Sequence, residues 1–179
     1  MSEGQFMKTC SFFGHRNVEG TPKLCNELRR TVIRLIEEED VQVFLFGSAS
    51  RFDTLCLKIV TQIQKKYPQI KRIYYRSQYE HIEDWYMVCI LRDYDDTVLP
   101  KGVENAGRAA YVERNQAMIN VSDFCIFYYN EAYQPPLRKK FRRAVLPYQP
   151  NSGTKIAYDY AISKKKEIIN LYDSVPTVK

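Results

Sequence analysis

Thr9-Cys-Ser-Phe-Phe-Gly-His-Arg16 is the stretch from which the rest of the chain can be read. An uncharged run ending in two phenylalanines predicts a buried strand, and Gly14 closes it. His15 and Arg16 then open a polar loop at the strand's end. The same grammar returns in Val41-Gln-Val-Phe-Leu-Phe46, closed by Gly47, and in Asp123-Phe-Cys-Ile-Phe-Tyr-Tyr129. Ile70 to Tyr75 and Glu167 to Leu171 complete a set of short apolar runs with strand character.

Between these runs the period changes from strand to helix. Leu24, Leu28, Val32, Leu35 and Ile36 recur at helical spacing over Pro22–Glu39, with Thr21 placed to cap and Pro22 at the first helical position. Leu55, Ile59, Val60 and Ile63 predict a second helix over Phe52–Lys66, and further helices are expected over 82–91, 108–121 and 154–164. Such alternation predicts an α/β domain, with a mainly parallel sheet of about five strands and helices on both faces. One domain spans 1–179, with its core over about 8–172, an insertion or lid at 76–107 and a basic loop at 131–150. Right-handed crossovers place the loops that follow the strands on one edge, where ligands of such sheets bind.

Composition narrows the function classes. The 179 residues carry a net charge of +6, but Arg138, Lys139, Lys140, Arg142 and Arg143 supply five of those charges within six positions. The basicity is thus a local feature on a nearly neutral domain. No apolar run approaches the ~18–20 residues of a membrane span, and Met1–Thr9 lacks the apolar core of a signal peptide. Five widely spaced cysteines without a Cys-x-x-Cys pair argue against a disulfide framework and a metal site. Cys10, Cys56 and Cys125 read as buried thiols of a cytoplasmic protein. Only two histidines occur, so a histidine-rich metal site is excluded. The single tryptophan, Trp85, is expected to pack the insertion against the domain.

Three segments at predicted strand ends carry candidate chemistry. Gly14-His15-Arg16 offers a close backbone approach and a guanidinium for a phosphate, or simply a tight turn. Gly47-Ser48-Ala49-Ser50-Arg51-Phe52-Asp53 opens a helix whose free N–H groups suit an anion. Asp53 can accept from a ribose hydroxyl or complement the helix dipole. Asn151-Ser152-Gly153-Thr154 opens another helix with converging hydroxyl and N–H donors.

The ordered set Cys10–Arg16, Phe46–Asp53, Glu113-Arg-Asn-Gln-Ala-Met118, Ser122–Tyr129 and Ser152–Ala161 resembles the bacterial DUF1273 group of the SLOG superfamily. That superfamily also holds DprA-like, YpsA-like and lysine-decarboxylase-like phosphoribohydrolase proteins. The resemblance spans about residues 8–172 and implies a Rossmann-like domain whose strand-end loops bind a nucleotide or nucleotide derivative. It implies ligand contacts at Gly14, His15, Arg16, Gly47, Ser48, Asp53, Arg114, Asn115, Ser152, Gly153 and Thr154. The chain departs from the family where a glycine pair is common, carrying Gly47-Ser48 instead. It also lacks the Pro-Gly-Gly and the glutamate of the phosphoribohydrolase motif. Alignment on Gly153-Thr154 puts Ala157 at the glutamate position, and alanine offers no acid or base. Asp53, Glu113 or Asp159 would have to substitute.

The expected function is therefore a cytoplasmic binding module, a sensor or regulator for a nucleotide or ADP-ribose-like ligand. It needs no cofactor or metal and no membrane, and a homodimer is compatible with it. Two alternatives stand beside it. One is hydrolysis of an N-glycosidic bond in a nucleoside monophosphate-like substrate. The other is DprA-like binding of nucleic acid through the basic loop, which would otherwise form a positive rim over an anionic ligand.

Overall fold

The computed structural model describes residues 7–48, 50–78, 83–139 and 147–174. Chain order is β1 (Lys8–Gly14), α1 (Pro22–Glu37), β2 (Val41–Phe46), α2 (Arg51–Gln64), β3 (Lys71–Tyr75), α3 (Asp84–Asp93) and β4 (Asp96–Val98). A 3-10 turn over Gly107–Ala109 then leads into α4 (Ala110–Val121) and β5 (Phe124–Tyr128). The chain ends with β6 (Arg138–Lys139), β7 (Pro147–Tyr148), α5 (Gly153–Ser163), β8 (Glu167–Asn170) and α6 (Leu171–Ser174).

Six strands form one sheet in the order β4-β3-β2-β1-β5-β8, and every pairing in it is parallel. The strand added to the expected five is β4, inside the segment read as an insertion. Its Asp-Thr-Val is too short and too polar to announce itself. It is held by pairing with β3, Tyr74 opposite Thr97, and by Asp95, whose carboxylate accepts from the Arg72 backbone N–H (2.7 Å), its guanidinium (2.9 Å) and Gln64 (2.8 Å). Segment 76–107 thus contributes a helix and an edge strand to the sheet.

Period-two alternation sorts the strand residues into two cores. Cys10, Phe12, Phe44, Phe46, Phe124 and Ile126 pack against α1 and α2, whereas Phe13, Val43, Leu45, Cys125 and Phe127 pack against Met118 and Ile119 of α4 and Ala157 and Ala161 of α5. Leu28, Val32 and Leu35 of α1 are fully buried, each such side chain stabilising by roughly 1.5–3 kcal/mol. Thr21 caps this helix by accepting from the Leu24 N–H at 3.2 Å, with Pro22 at the first helical position. Cys10, Cys56 and Cys125 are buried free thiols. Among the described residues no helix is long and apolar enough to cross a membrane.

Strand order reverses beside β1, since β2 lies on one side of it and β5 on the other. The crevice outside the carboxyl ends of β1 and β5 is therefore the topological switch point, the place where sheets of this kind receive ligands.

Candidate functional site

Two of the three strand-end loops are joined directly. The Arg51 backbone N–H donates to the Arg16 carbonyl at 3.0 Å, binding the loop after β1 to the start of α2. Gly14 serves this join. A Cβ at position 14 would lie 2.4–2.7 Å from the ring and Cβ of Phe52, so the glycine makes room for a core phenylalanine. That is a different use from the close ligand approach expected of it.

The loop after β2 is built on serine hydroxyls. Ser48 Oγ accepts from the Ser50 N–H at 3.0 Å, and Ser50 Oγ caps α2 by accepting from the Asp53 N–H at 3.1 Å. Asp53 occupies the first turn of α2 but turns inward and is only 3% exposed. Burial raises its pKa to about 8, against the lowering effects of Arg114 and of the Ser48 and Gly47 backbone N–H groups. Its Oδ1 is buried with no hydrogen-bond partner among the described residues. The alternative use for this acid was to complement the helix dipole, and Asp53 does stand in the first turn of α2, while the N-cap hydrogen bond comes from Ser50.

Arg114 reaches the same place from α4. It is only 4% exposed, so the guanidinium is turned inward. Its Nη1 donates to the Gly47 carbonyl, and its Nε and Nη2 donate to Asn115 Oδ1 at 3.2 and 2.9 Å. The Tyr111 ring lies under the guanidinium at 5.4 Å. A Cβ at position 47 would come within 2.8–2.9 Å of Arg114 Nε and Cδ and of Met118 Sδ. Gly47, Asp53, Arg114 and Asn115 thus form one structural unit drawn from β2, α2 and α4.

His15 stands at the switch point itself. The Asn130 backbone N–H, just beyond β5, donates to His15 Nε2 at 2.9 Å. That donation requires the neutral ring with its proton on Nδ1, and burial lowers the pKa in the same sense. Nδ1 is itself buried without a partner among the described residues. The ring packs on Tyr133 at 4.3 Å and near Tyr129 at 5.9 Å. Arg16 is exposed.

The third loop supplies Ser152, which caps α5 by accepting from the Lys155 N–H at 3.0 Å. Around Gly153 no heavy atom lies within 4 Å of where a Cβ would be, and Thr154 is buried. The two other carboxylates considered for catalysis, and position 157, differ sharply from Asp53. Glu113 is exposed. Asp159 is tied to Lys155 by an ion pair of 3.1 Å on the outer side of α5. Position 157 faces the sheet core, where Ala157 is 2% exposed.

Two features of this edge are new to the structure, the side chain of Asn170 and the antiparallel pairing of Arg138–Lys139 with Pro147–Tyr148. Asn170, at the end of β8, accepts from the Tyr129 N–H at 3.0 Å and donates to the Tyr129 carbonyl at 2.9 Å. It prolongs the sheet pairing with a side chain and anchors the β5 loop. Arg138 and Lys139 lie exposed in a two-stranded antiparallel ribbon, with Arg138 opposite Tyr148, while Lys140, Arg142 and Arg143 lie outside the described residues. Two shallow surface hollows lie elsewhere, one on the outer face of α1 by Lys23 and Arg30, the other by Lys8 and Lys164–Glu167 at the amino ends of the strands. No group of three metal-ligating side chains occurs among the described residues.

A scan against protein-family models and a search of curated proteins returned no match. The geometry of the strand-end edge therefore carries the functional argument.

Proposed function

We propose that this chain is a cytoplasmic binding module for a nucleotide or nucleotide derivative, acting as a sensor or regulator. The observation that supports the reading best is a pair of orphaned polar atoms, His15 Nδ1 and Asp53 Oδ1, on the carboxyl edge of a doubly wound parallel sheet. Buried polar groups are normally hydrogen-bonded, so two unpaired ones on the ligand edge argue for a partner that arrives from outside. A neutral His15 donates through Nδ1. Asp53 accepts as a carboxylate or donates as an acid. The amino end of α5 adds N–H groups suited to phosphate, and Gly153 leaves open space there.

The experiment is a thermal-shift and calorimetric screen of nucleotides and ADP-ribose-like compounds, joined to mass spectrometry of small molecules released on denaturation. Stabilisation by a nucleotide, lost in Asp53→Asn and His15→Ala, is the expected result. Absence of both a co-purified nucleotide and any stabilisation overturns the reading.

One observation favours a second reading, hydrolysis of an N-glycosidic bond. A carboxyl group with a pKa near 8 is protonated at neutral pH and suited to general acid catalysis. Release of free base from a nucleoside monophosphate, abolished by Asp53→Asn, is its signature. Intact substrate after long incubation with concentrated protein rules it out.

A further inference from the structure

The two orphaned atoms of the strand-end edge stand on different sides of β1. His15 follows β1 and is bound by Asn130 just beyond β5, which puts it over the gap between those strands. Asp53 lies on the other side. The Gly47 and Ser48 N–H groups at the end of β2 act on it, and its charge acts on the Tyr74 hydroxyl of β3. Neighbouring strands lie ~4.8 Å apart, so the two positions are separated by about 7–10 Å across the edge. A lone phosphate or a lone base is shorter than that, whereas a nucleoside phosphate is long enough to reach both.

The two sides differ in chemistry. On the β5 side, Lys155 in the first turn of α5 lies within electrostatic reach of Tyr129 and Glu131, so the amino end of that helix faces the loop that holds His15. On the β2–β3 side the surroundings are aromatic. Tyr94 packs on Tyr74 at 5.0 Å and on Phe46 at 5.7 Å. The Tyr111 ring lies under the Arg114 guanidinium, and its hydroxyl accepts from Gln78, beyond β3, at 3.0 Å. The Tyr74 hydroxyl is within electrostatic reach of those of Tyr111 and Tyr94. Three phenols thus converge beside Asp53 and Arg114. Tyr111 is 55% exposed and Tyr74 and Tyr94 are half-buried, so the group opens to solvent. Arg114 donates from all three of its nitrogens to the protein itself, which makes it a poor clamp for phosphate. Rings that stack, with hydroxyls that both donate and accept, suit a flat heteroaromatic ring with a hydrogen-bonding rim.

We infer that the base of the ligand is received among Tyr74, Tyr94 and Tyr111, with its phosphate directed toward α5. The placement rests on the nucleotide-binding reading and gives the ligand a direction across β1.

Calorimetric titrations of the full chain with AMP, GMP, CMP, UMP, ADP-ribose and ribose 5-phosphate test it, with circular dichroism confirming that each variant is folded. Tyr111→Ala removes an exposed ring, and Tyr74→Phe removes only a hydroxyl. Tyr111→Ala should weaken the best-bound nucleotide by about 5- to 150-fold, the measure of one base–aromatic stack, and Tyr74→Phe should weaken it less. Neither should change the affinity for ribose 5-phosphate, which has no base. In the complex, nuclear Overhauser contacts from the base protons should reach the rings of Tyr74 or Tyr111. Nucleotide binding that both variants leave unchanged overturns the placement while the nucleotide reading stands, and so do base contacts confined to Tyr129 and Tyr133 on the β5 side. Equal weakening of ribose 5-phosphate overturns it as well. If none of the six compounds binds, the nucleotide reading falls and the placement falls with it.

Discussion

The carbonyl of Gly47 accepts a hydrogen bond from Arg114, and the Cβ that any other residue would carry at 47 would lie 2.8 Å from the same guanidinium's Nε. The glycine and the arginine are thus fitted to each other across 67 positions of sequence. The glycine admits the buried cation, whose charge acts on the buried carboxyl of Asp53.

Glycine substitutions should separate three roles. Gly14→Ala drives a Cβ into the Phe52 ring and its own Cβ, which cannot swing away, and is expected to cost about 1–3 kcal/mol or more. Gly47→Ala displaces the more yielding Arg114 and Met118 side chains and should cost less stability while disturbing the site. Gly153→Ala meets open space at the first position of α5 and should be neutral or stabilising by up to about 1 kcal/mol. Urea unfolding of the three variants, with ligand titrations for Gly47→Ala, checks the order.

Asp53 should write a signature into the pH dependence of stability. Its pKa of about 8 in the folded chain lies above the ~3.9 of an unfolded aspartate. Between those values the folded state retains a proton that the unfolded state has released. Stability from this group is therefore greatest at low pH, falls as pH rises towards 8, and levels off beyond it. Asp53→Asn should flatten the slope between pH 5 and pH 8 relative to the wild type, in paired denaturant titrations. Asp95 acts oppositely: although burial raises its pKa, hydrogen bonds from Arg72 prevail and hold it low. Its contribution is present above the unfolded value and is lost as pH falls below it, outside the window used for Asp53.

Removing Arg114 should expose the coupling. Arg114→Met removes the hydrogen bonds to the Gly47 carbonyl and Asn115 Oδ1 and keeps Asp53 protonated to higher pH, and is expected to cost about 1–3 kcal/mol at pH 8. The same substitution should cost less at pH 5, where Asp53 is neutral. The double variant Asp53→Asn, Arg114→Met should lose less than the sum of the single losses in a double-mutant cycle. Arg114→Lys should rescue only in part, since an ammonium cannot donate at once to the Gly47 carbonyl and twice to Asn115.

Asn170→Ala removes both hydrogen bonds to the Tyr129 backbone, leaving that N–H and carbonyl in a half-buried setting without their partner. A loss of about 1–3 kcal/mol is expected, with faster amide exchange at Tyr129 than in the wild type. Unchanged exchange at Tyr129 would show that the side chain does not hold the β5 loop.

Much of the fold was legible in the chain because it follows from short-range rules. Apolar runs closed by Gly14 and Gly47 marked strands β1 and β2, helical spacing marked α1 and α2, and Thr21 with Pro22 marked a helix start that the structure reproduces. β4 was not legible, because three residues held by pairing with β3 carry no periodic signal. The position of Trp85 was misjudged for a related reason. Its apolarity predicts burial, yet α3 turns only Ile90 inward and leaves the indole 64% exposed.

The candidate site divides along the same line. Which loops would hold polar chemistry followed from the chain alone, since alternation of strands and helices sends those loops to one edge. The packed fold set what each residue does there. It assigned Gly14 to Phe52, Gly47 to Arg114, Asn170 to Tyr129, and left His15 Nδ1 and Asp53 Oδ1 without partners among the described residues. The physical reason is range. Periodicity and capping act over three or four residues, whereas burial of a charge beside its partner depends on which strands become neighbours, and strand order is settled by packing of the whole sheet.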